Sequence, residues 1–189
     1  MSIYEIERKF LLKNDSWKNL VFSVNKIEQS YLNIDKIRFY FKGNTLKIVT
    51  SLFKIRLKLK AVEVKALKEN LYREKKVVRI RRLNEHYILT IKIDIDEVGK
   101  NIEVERFIPK EKYEFSKVIA TKSIAKSRSL VKFNNYIFEI DEFNFKDKNR
   151  KLDLAEVEVS DISEPKVLPD WIGKEVTGDP AYFNSNLAE

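Results

Sequence analysis

Acidic side chains recur in pairs along this chain, two residues apart. Glu5 and Glu7 are followed by Lys9, while Ile6 and Phe10 fill alternate positions. In a β-strand, side chains two apart point to the same face, so two carboxylates and an ammonium would share one face. The same spacing recurs in further acidic and basic pairs: Glu103 and Glu105, Glu156 and Glu158, Arg79 and Arg81, Thr90 and Lys92, Lys126 and Arg128.

These residue types suit a metal–phosphate complex. Clustered carboxylates are the ligands that hard divalent cations such as Mg²⁺ or Mn²⁺ prefer, and these cations also bridge to phosphate oxygens. Clustered Arg and Lys bind phosphate, and Arg does so with two parallel hydrogen bonds. Both signs together favour a polyphosphate bound with metal. Nucleic acid is not the expected partner, because carboxylates repel its backbone.

The spacing leaves two arrangements open. A single charged pair is more typical of a sheet face in water. Repetition on so many strands favours a charged interior instead, with the alternating apolar residues buried under helices outside a closed sheet. We therefore expect the charged pairs, taken together, to face inward.

Composition narrows the class of protein. A chain of 189 residues with 43% hydrophobic content, 4 Gly and 4 Pro predicts one folded domain, residues 1–189. It has no cysteine, which excludes disulfides and thiolate metal sites. Neither a signal-like segment nor an apolar run of about 20 residues is present, so we expect a cytoplasmic protein without a membrane partner. The net charge of +8 favours an anionic ligand.

Period-two alternation predicts a mainly β (α+β) fold. Short turns at 84–85, 98–101 and 134–135 separate candidate hairpins. Helices are predicted from Pro109 to about Thr121 and from Asp179, as N-cap, to Leu187. Many antiparallel strands with few helices favour a closed sheet, since closure removes edges. The predicted strands cover residues 3–12, 25–33, 36–42, 45–49, 53–65, 76–83, 86–95, 101–108, 124–132, 135–143 and 152–160.

An ordered set of motifs resembles the CYTH superfamily, the triphosphate tunnel metalloenzymes, in its short bacterial, inorganic tripolyphosphatase-like form. EIERK at 5–9 matches the ExExK signature of that family. The set covers nearly the whole chain except residues 34–75 and is far more specific than ExExK alone. The further matches are IEQSYL at 27–32, VRIR at 78–81, LTIK at 89–92, IEVE at 102–105, KSR at 126–128, FEIDEF at 138–143, LAEVE at 154–158, WIGKEVT at 171–177 and YFNSNL at 182–187.

The resemblance implies a closed eight-stranded antiparallel β-barrel, the triphosphate tunnel, with a few external helices and a C-terminal plug helix. It also implies that Lys9, with Glu5 and Glu7, is catalytic, although a structural ion pair is an equally good explanation of Lys9. The implied ligands of Mg²⁺ or Mn²⁺ are Glu5, Glu7, Asp141, Glu156 and Glu158. The implied phosphate ligands are Lys9, Arg79, Arg81, Lys92, Lys126, Arg128 and Lys174.

Residues 34–75 depart from the family pattern and read as an insert, either a protruding ribbon or an added hairpin. The insert contains two alternative motifs that resemble Arg-x-Arg: Lys36-Ile37-Arg38 and Lys54-Ile55-Arg56. We prefer Arg79 and Arg81 because a short turn and the strand of Thr90 and Lys92 follow directly. The insert could extend a tunnel wall, form a homodimer contact, or present a basic sheet face to an acidic partner or to nucleic acid.

The function expected from these observations is divalent-metal-dependent hydrolysis of a triphosphate, with inorganic tripolyphosphate as the first choice. Thiamine or nucleoside triphosphatase and class IV adenylyl cyclase activities are alternatives within the same family. An alternative of another class is a protein that binds polyphosphate or RNA without catalysis. The sequence does not decide which triphosphate is preferred.

Overall fold

The computed structural model describes residues 3–147 and 149–189, and strands dominate these ranges. Single-turn 3₁₀ segments lie at Ser16–Leu20, Ile34–Lys36 and Pro180–Tyr182. The helices are α1 (Ala61–Asn70), α2 (Lys110–Lys117) and α3 (Asn184–Leu187). The strands are β1 (Tyr4–Leu12), β2 (Val21–Leu32), β3 (Arg38–Lys42), β4 (Thr45–Val49), β5 (Lys54–Lys58), β6 (Lys76–Leu83), β7 (His86–Glu97), β8 (Lys100–Phe107), β9 (Ala120–Phe133), β10 (Tyr136–Asn144), β11 (Asp153–Glu158) and β12 (Ile172–Glu175).

Nine strands form one hydrogen-bonded sheet in the order β11-β10-β9-β2-β6-β7-β8-β1-β12. Because β11 also pairs with β1, eight of these strands close into an antiparallel β-barrel and β12 is an additional strand. The predicted fold class is confirmed. The chain divides into two compact units, which are described separately below.

The first unit contains residues 3–4, 29–95 and 101–123. Strands β3, β4 and β5 form a separate antiparallel sheet within it. Alternate residues of this sheet, such as Leu46, Ile48 and Leu57, are buried in the same apolar core as Ile80 and Ile91 of the long strands. Burial of alternate positions is what period-two sequence produces when one face of a sheet packs on a core.

Two expectations for this unit change. The predicted strand 53–65 ends at Lys58, and α1 follows, because the Glu63 carboxylate accepts from the Lys60 amide at 2.6 Å and caps the helix start. Ala66 and Leu67, which lie in this helix just beyond the predicted strand, are both buried and anchor it to the core. Residues 34–75 therefore form a three-stranded sheet and a helix packed into the core, rather than a protruding ribbon or a single hairpin.

The second unit contains residues 5–28, 96–100, 124–147 and 149–189. One side of its strands buries an apolar cluster around Phe10, Phe138 and Ile140, which Trp17 and Trp171 cover from outside the strands. This is the burial that the alternation required of the residues between the charges. Phe138 and Trp171 meet edge to face, with ring centroids 5.3 Å apart.

Element ends differ from the prediction in several places. Strand β2 begins at Val21, four residues earlier than predicted. Strand β9 begins at Ala120, and α2 therefore ends at Lys117, earlier than predicted. Strand β12 was not predicted, because four residues carry too little alternation to stand out. At the C-terminus Asp179 does cap the first turn, accepting from the Ala181 amide at 3.0 Å. That turn is 3₁₀, and the helix that follows is only one turn long.

The predicted turns at 84–85 and 134–135 are confirmed. Asn84 and Asn134 adopt positive φ values of 51° and 53°, as tight hairpins between twisted strands require. Within the described ranges no helix is long and apolar enough to cross a membrane.

Candidate active site

The second unit holds a buried network of opposite charges that begins on β1. Lys9 stands directly opposite Glu156 of β11, and the Lys9 Nζ lies 2.7 Å from the Glu156 Oε1. Both side chains are 7% exposed. Two positions along the same strands, Glu7 stands opposite Glu158. The register between two strands therefore places the ExExK residues against the second acidic pair.

Asp141 of β10 is the most deeply buried carboxylate of this network, with no exposed surface. Arg128 of β9 stands opposite it and donates to both of its oxygens, from Nε at 2.7 Å and from Nη2 at 2.6 Å. The Lys126 ammonium donates to Asp141 as well. Because every member has a charged partner, the network tolerates burial that an isolated charge would not.

Arg128 joins the two halves of the network. Its Nη2 also donates to Glu156 Oε2 at 2.8 Å, and its Nη1 donates to Glu139. We call this set the ionic cluster; its members are Lys9, Lys126, Arg128, Glu139, Asp141 and Glu156. A planar guanidinium can serve three carboxylates in this way because its five N–H groups point in fixed directions.

The C-terminal segment lies against the ionic cluster. Lys9 Nζ donates to the Tyr182 carbonyl at 3.2 Å, and the Asn184 amide nitrogen donates to Glu156 Oε1 at 3.3 Å. Lys126 Nζ is 3.4 Å from the Asn184 amide oxygen. Leu187, in the same one-turn helix, is buried with Leu154 and Val176. Apolar packing thus holds the segment that supplies these polar contacts.

The network shifts the protonation of its members. Burial alone would raise the pKa of Glu156, but the charges of Lys9, Lys126 and Arg128 outweigh it and hold that pKa well below its usual range. Burial and the neighbouring charge of Arg128 lower the pKa of the Lys126 ammonium to about 8. Burial raises the pKa of Glu139, with Arg128 opposing. Burial and neighbouring charges therefore both shift the pKa values in this cluster, and among these three groups the charges outweigh burial only at Glu156.

Backbone contacts hold β1 in place beside the cluster. The Lys9 amide donates to Thr177 Oγ1 at 3.0 Å, and the Lys9 carbonyl accepts from the Val176 amide at 2.8 Å. The Glu7 amide donates to the Gly99 carbonyl at 2.8 Å. A side chain at Gly99, which has φ of +71°, would put a Cβ 2.6 Å from the Glu7 carbonyl oxygen. Glycine is therefore required where this turn meets the strand.

The first unit contains a second charged group, on β6, β7 and β8. Arg79 stands opposite Thr90, and its Nη2 lies 3.4 Å from Glu103 Oε1 and 3.3 Å from Glu105 Oε1. Arg81 Nη2 lies 3.4 Å from the same Glu105 oxygen. The remaining contacts are Lys92 Nζ to Glu103 Oε2 at 3.6 Å and Thr90 Oγ1 to Glu105 Oε1 at 2.7 Å. We call this set the arginine group: Arg79, Arg81, Thr90, Lys92, Glu103 and Glu105.

The carboxylates of the arginine group, Glu103 and Glu105, contact its cations. Burial would raise the pKa of Glu105, but Arg81 and Arg79, with the Thr90 hydroxyl, hold it below its usual range. The three basic side chains are mostly buried, with 10 to 17% of each exposed. These cations are therefore concentrated in a confined region, as phosphate binding would require.

Glu7 and Glu158 are the carboxylates whose arrangement bears most directly on binding of a divalent cation. Two carboxylates directly opposite on neighbouring strands repel each other, and a cation between them removes that repulsion. Across the described ranges, however, no three Asp, Glu or His side chains are gathered as a complete metal site. Mg²⁺ is usually held by only one or two carboxylates together with substrate phosphates, so the residues present fit such an ion.

The predicted site residues fall into three sets. Lys9, Lys126, Arg128, Asp141 and Glu156 meet in the ionic cluster, and Glu5 and Glu7 of β1 and Glu158 of β11 lie on the same two strands as Lys9 and Glu156. Arg79, Arg81 and Lys92 belong to the arginine group. Lys174 is exposed on β12, and no hydrogen bond or ion pair to the cluster is seen among the described residues.

Two participants, Glu139 and Asn184, were not singled out from the sequence, and a third, Thr90, was given no role. Glu139 precedes Asp141 by two residues on β10, so the same alternation that marked the other acidic pairs could have identified it. Thr90 was noted with Lys92 but was not given a role. Asn184 carries no signal of its own, since only the fold of the C-terminal segment brings it to Glu156.

The sequence and the structure are similar to those of known proteins. The CYTH domain model matches residues 4–183. An inorganic triphosphatase of Acetivibrio thermocellus is 31% identical over 187 residues, covering 98% of this chain and 93% of the relative. The crystal structure of the inorganic triphosphatase NE1496 has a TM-score of 0.55 at 23% identity and covers 97% of this chain and 93% of its own. The PH1012 protein of Pyrococcus horikoshii OT3 has a TM-score of 0.51 at 19% identity, covering 86% of this chain and 83% of its own.

The two structural neighbours share the fold, and the domain model spans nearly the entire sequence. The resemblance recognised from the ExExK strand and the motifs that follow it is confirmed. The chain belongs to the CYTH domain family.

Proposed function

We propose that this protein hydrolyses a triphosphate with the help of a divalent cation, and that inorganic tripolyphosphate is its preferred substrate. The observation that carries the proposal is the ionic cluster, in which Lys9, Lys126 and Arg128 are buried beside carboxylates. The relative at 31% identity, described as an inorganic triphosphatase, supports the choice of substrate.

The cluster has the chemistry that phosphoryl transfer needs. Transfer of a phosphoryl group depends mainly on positioning and on neutralising the negative charge of its oxygens. Arg128 can donate two parallel hydrogen bonds, as it does to Asp141, and a phosphate presents the same arrangement of oxygens. A substrate phosphate would therefore compete with the cluster's own carboxylates for these cations.

The proposed metal ligands are Glu5, Glu7 and Glu158, with Asp141 and Glu156. When bound, Mg²⁺ or Mn²⁺ would neutralise and bridge phosphate oxygens. Arg79, Arg81 and Lys92 of the arginine group are proposed to bind phosphate oxygens of the substrate. Lys174 is proposed as a weaker phosphate contact, because its exposed position leaves it screened by solvent.

Lys9 is proposed to orient the attacking water. Its ammonium already donates to Glu156 and to the Tyr182 carbonyl, so its position is fixed by two different elements. In hydrolysis a water oxygen forms a bond to a terminal phosphorus while the bridging P–O bond breaks. The products from tripolyphosphate are phosphate and pyrophosphate.

A substrate panel tests the proposal directly. Phosphate release is measured from tripolyphosphate, ATP and thiamine triphosphate, each with Mg²⁺, with Mn²⁺ and with EDTA. We expect the highest kcat/KM for tripolyphosphate and no release in EDTA. Faster turnover of ATP or thiamine triphosphate would replace the substrate assignment, and absence of turnover for all three would reject hydrolysis.

A further inference from the structure

The net positive charge of this protein resides in one segment. Residues 34–75 contain twelve Lys and Arg and four Asp and Glu, a net charge of +8. That equals the net charge of the whole chain, so the other residues balance to zero. A long-range attraction for anions would therefore originate in this segment rather than in the ionic cluster.

The three-stranded sheet presents this charge on its outer face. Its apolar residues point into the core, so the alternate residues of β3, β4 and β5 point away from it. Cross-strand register arranges the outer residues in three rows: Lys42-Thr45-Lys58, Tyr40-Lys47-Arg56 and Arg38-Val49-Lys54. We call this surface the basic sheet face. It contains six cations and no carboxylate.

These cations lack internal partners that would neutralise them. Among the described residues, none of the six forms an ion pair with a carboxylate, and the Arg38 guanidinium donates only to the backbone carbonyls of Asp35 and Ile37. The acidic residues of the segment are used elsewhere; Glu63, for example, caps α1 and pairs with Arg106. Six unneutralised cations on one face repel each other, and an anionic ligand would relieve that repulsion.

We propose that the basic sheet face binds single-stranded nucleic acid without sequence preference. The middle row places an aromatic ring, Tyr40, which is 55% exposed, beside Lys47 and Arg56. Cations that follow a backbone and an aromatic ring on which a base stacks are the two elements of such binding sites. A bare polyphosphate chain would use the cations but would leave the ring without a function.

The size of the face favours a single strand over a duplex. Three strands span about 10 Å across, and the positions from first to last outer residue span about 13 Å along the strands. A surface of that size can contact only one backbone of a rigid duplex, whereas a flexible single strand can lay several phosphates and a base on it. The objection that carboxylates repel a nucleic-acid backbone does not apply to this face.

Fluorescence anisotropy of the full chain with a labelled single-stranded RNA of about 20 nucleotides tests the proposal. The RNA carries a 5′-hydroxyl, so that no triphosphate end is present. The test variant is Lys47→Ala/Arg56→Ala/Lys58→Ala, and the matched control is Lys110→Ala/Lys151→Ala/Lys166→Ala, which removes the same charge from exposed scattered positions. Thermal melting of both variants checks that the fold is retained.

We expect salt-sensitive binding, measured as the slope of log K plotted against log salt concentration. The magnitude of this negative slope should decrease by about 2 in the test variant, since each lost phosphate contact removes about 0.7. The control should keep the wild-type slope. Tyr40→Ala should weaken binding by about fivefold while Tyr40→Phe does not, because only the ring stacks. Arg128→Ala should bind RNA like the wild type.

Three results would overturn the proposal. One is no detectable RNA binding at about 50 mM salt, where phosphate contacts are strongest. Another is equal weakening by the test and control variants, which would show attraction by net charge alone. The third is loss of self-association, rather than of RNA binding, in the test variant by analytical ultracentrifugation, which would assign the face to a second copy of the chain.

Discussion

Lys9 and Glu156 face each other across β1 and β11, 147 positions apart in the chain, and their charged atoms approach to 2.7 Å with almost no exposure to solvent. A buried pair of this kind is a poor source of stability in itself. Removing one partner of the pair nevertheless lowers stability strongly, because the remaining charge is left buried where it is poorly solvated. This asymmetry allows a structural role for Lys9 to be separated from a chemical one.

Lys9→Met should lower the free energy of unfolding by about 3 kcal/mol, because Glu156 loses one of its buried charge partners. Adding Glu156→Gln should restore part of that loss, as expected for two groups that interact directly. Phosphate release should not recover in the double variant. Because Glu156 is also a proposed metal ligand, full recovery of turnover along with stability would assign purely structural roles to both Lys9 and Glu156.

Removal of divalent metal should abolish hydrolysis, and Mg²⁺ or Mn²⁺ should restore it. Glu158→Gln should reduce kcat/KM by at least about tenfold, since changes at and around metal ligands cost that much or more. Glu97→Gln is the matched control, because Glu97 is an exposed carboxylate paired with Lys100 at the turn after β7. Comparable losses in the two variants would argue against Glu158 as a metal ligand.

Arg81→Ala should reduce turnover of tripolyphosphate by about 100-fold, because a donor to phosphate oxygens is lost from a poorly screened site. Arg56→Ala should change hydrolysis little, since Arg56 lies on the exposed face of the three-stranded sheet. Steady-state kinetics of tripolyphosphate hydrolysis by the two variants tests which arginine contributes to turnover. The reverse order would mean that the alternative Arg-x-Arg strand of the insert serves the active site.

The acid limit of stability should depend on Glu105. Its pKa in the folded protein lies below its usual value, so its contribution to stability is present above the unfolded pKa and is lost as pH falls through the folded one. Unfolding measured from pH 6 downward should therefore show a shallower loss of stability below about pH 4.5 in Glu105→Gln. Thr90→Val should give a smaller change in the same direction, because one hydrogen bond to the carboxylate is removed. Identical slopes in all three proteins would remove Glu105 from the acid response.

The three-stranded sheet should be part of the folded core rather than an appendage. Leu46 is fully buried with the long strands, so Leu46→Ala should lower the free energy of unfolding by about 2–5 kcal/mol. Leu52 is 58% exposed in the loop before β5, and Leu52→Ala should have little effect. Denaturant unfolding with a single transition that shifts as a whole would support this. A separate early transition in Leu46→Ala would show that the segment unfolds alone.

Much of the fold could be predicted from the sequence because strand alternation is local. The positions of Glu5, Glu7 and Lys9 on one face follow from the geometry of a single strand, and the hairpin at Asn84 follows from turn chemistry. The ordered motifs extended this to the family. Where the local signal was ambiguous the prediction was wrong: the first residues of α1 alternate like a strand, and only a side-chain cap and burial of consecutive residues make them a helix.

The pairing of charges was decided by tertiary structure. Sequence alternation states which face a residue occupies on its own strand but not which residue it meets on the next, because register depends on hydrogen bonds and packing between distant segments. Register places Lys9 opposite Glu156 and Arg128 opposite Asp141, and packing of Leu187 brings Asn184 to the cluster. Likewise, the basic alternation of residues 54–60 was visible in the sequence. Its exposure on a separate sheet depends on tertiary structure, because the apolar side of that sheet packs on a core shared with other strands.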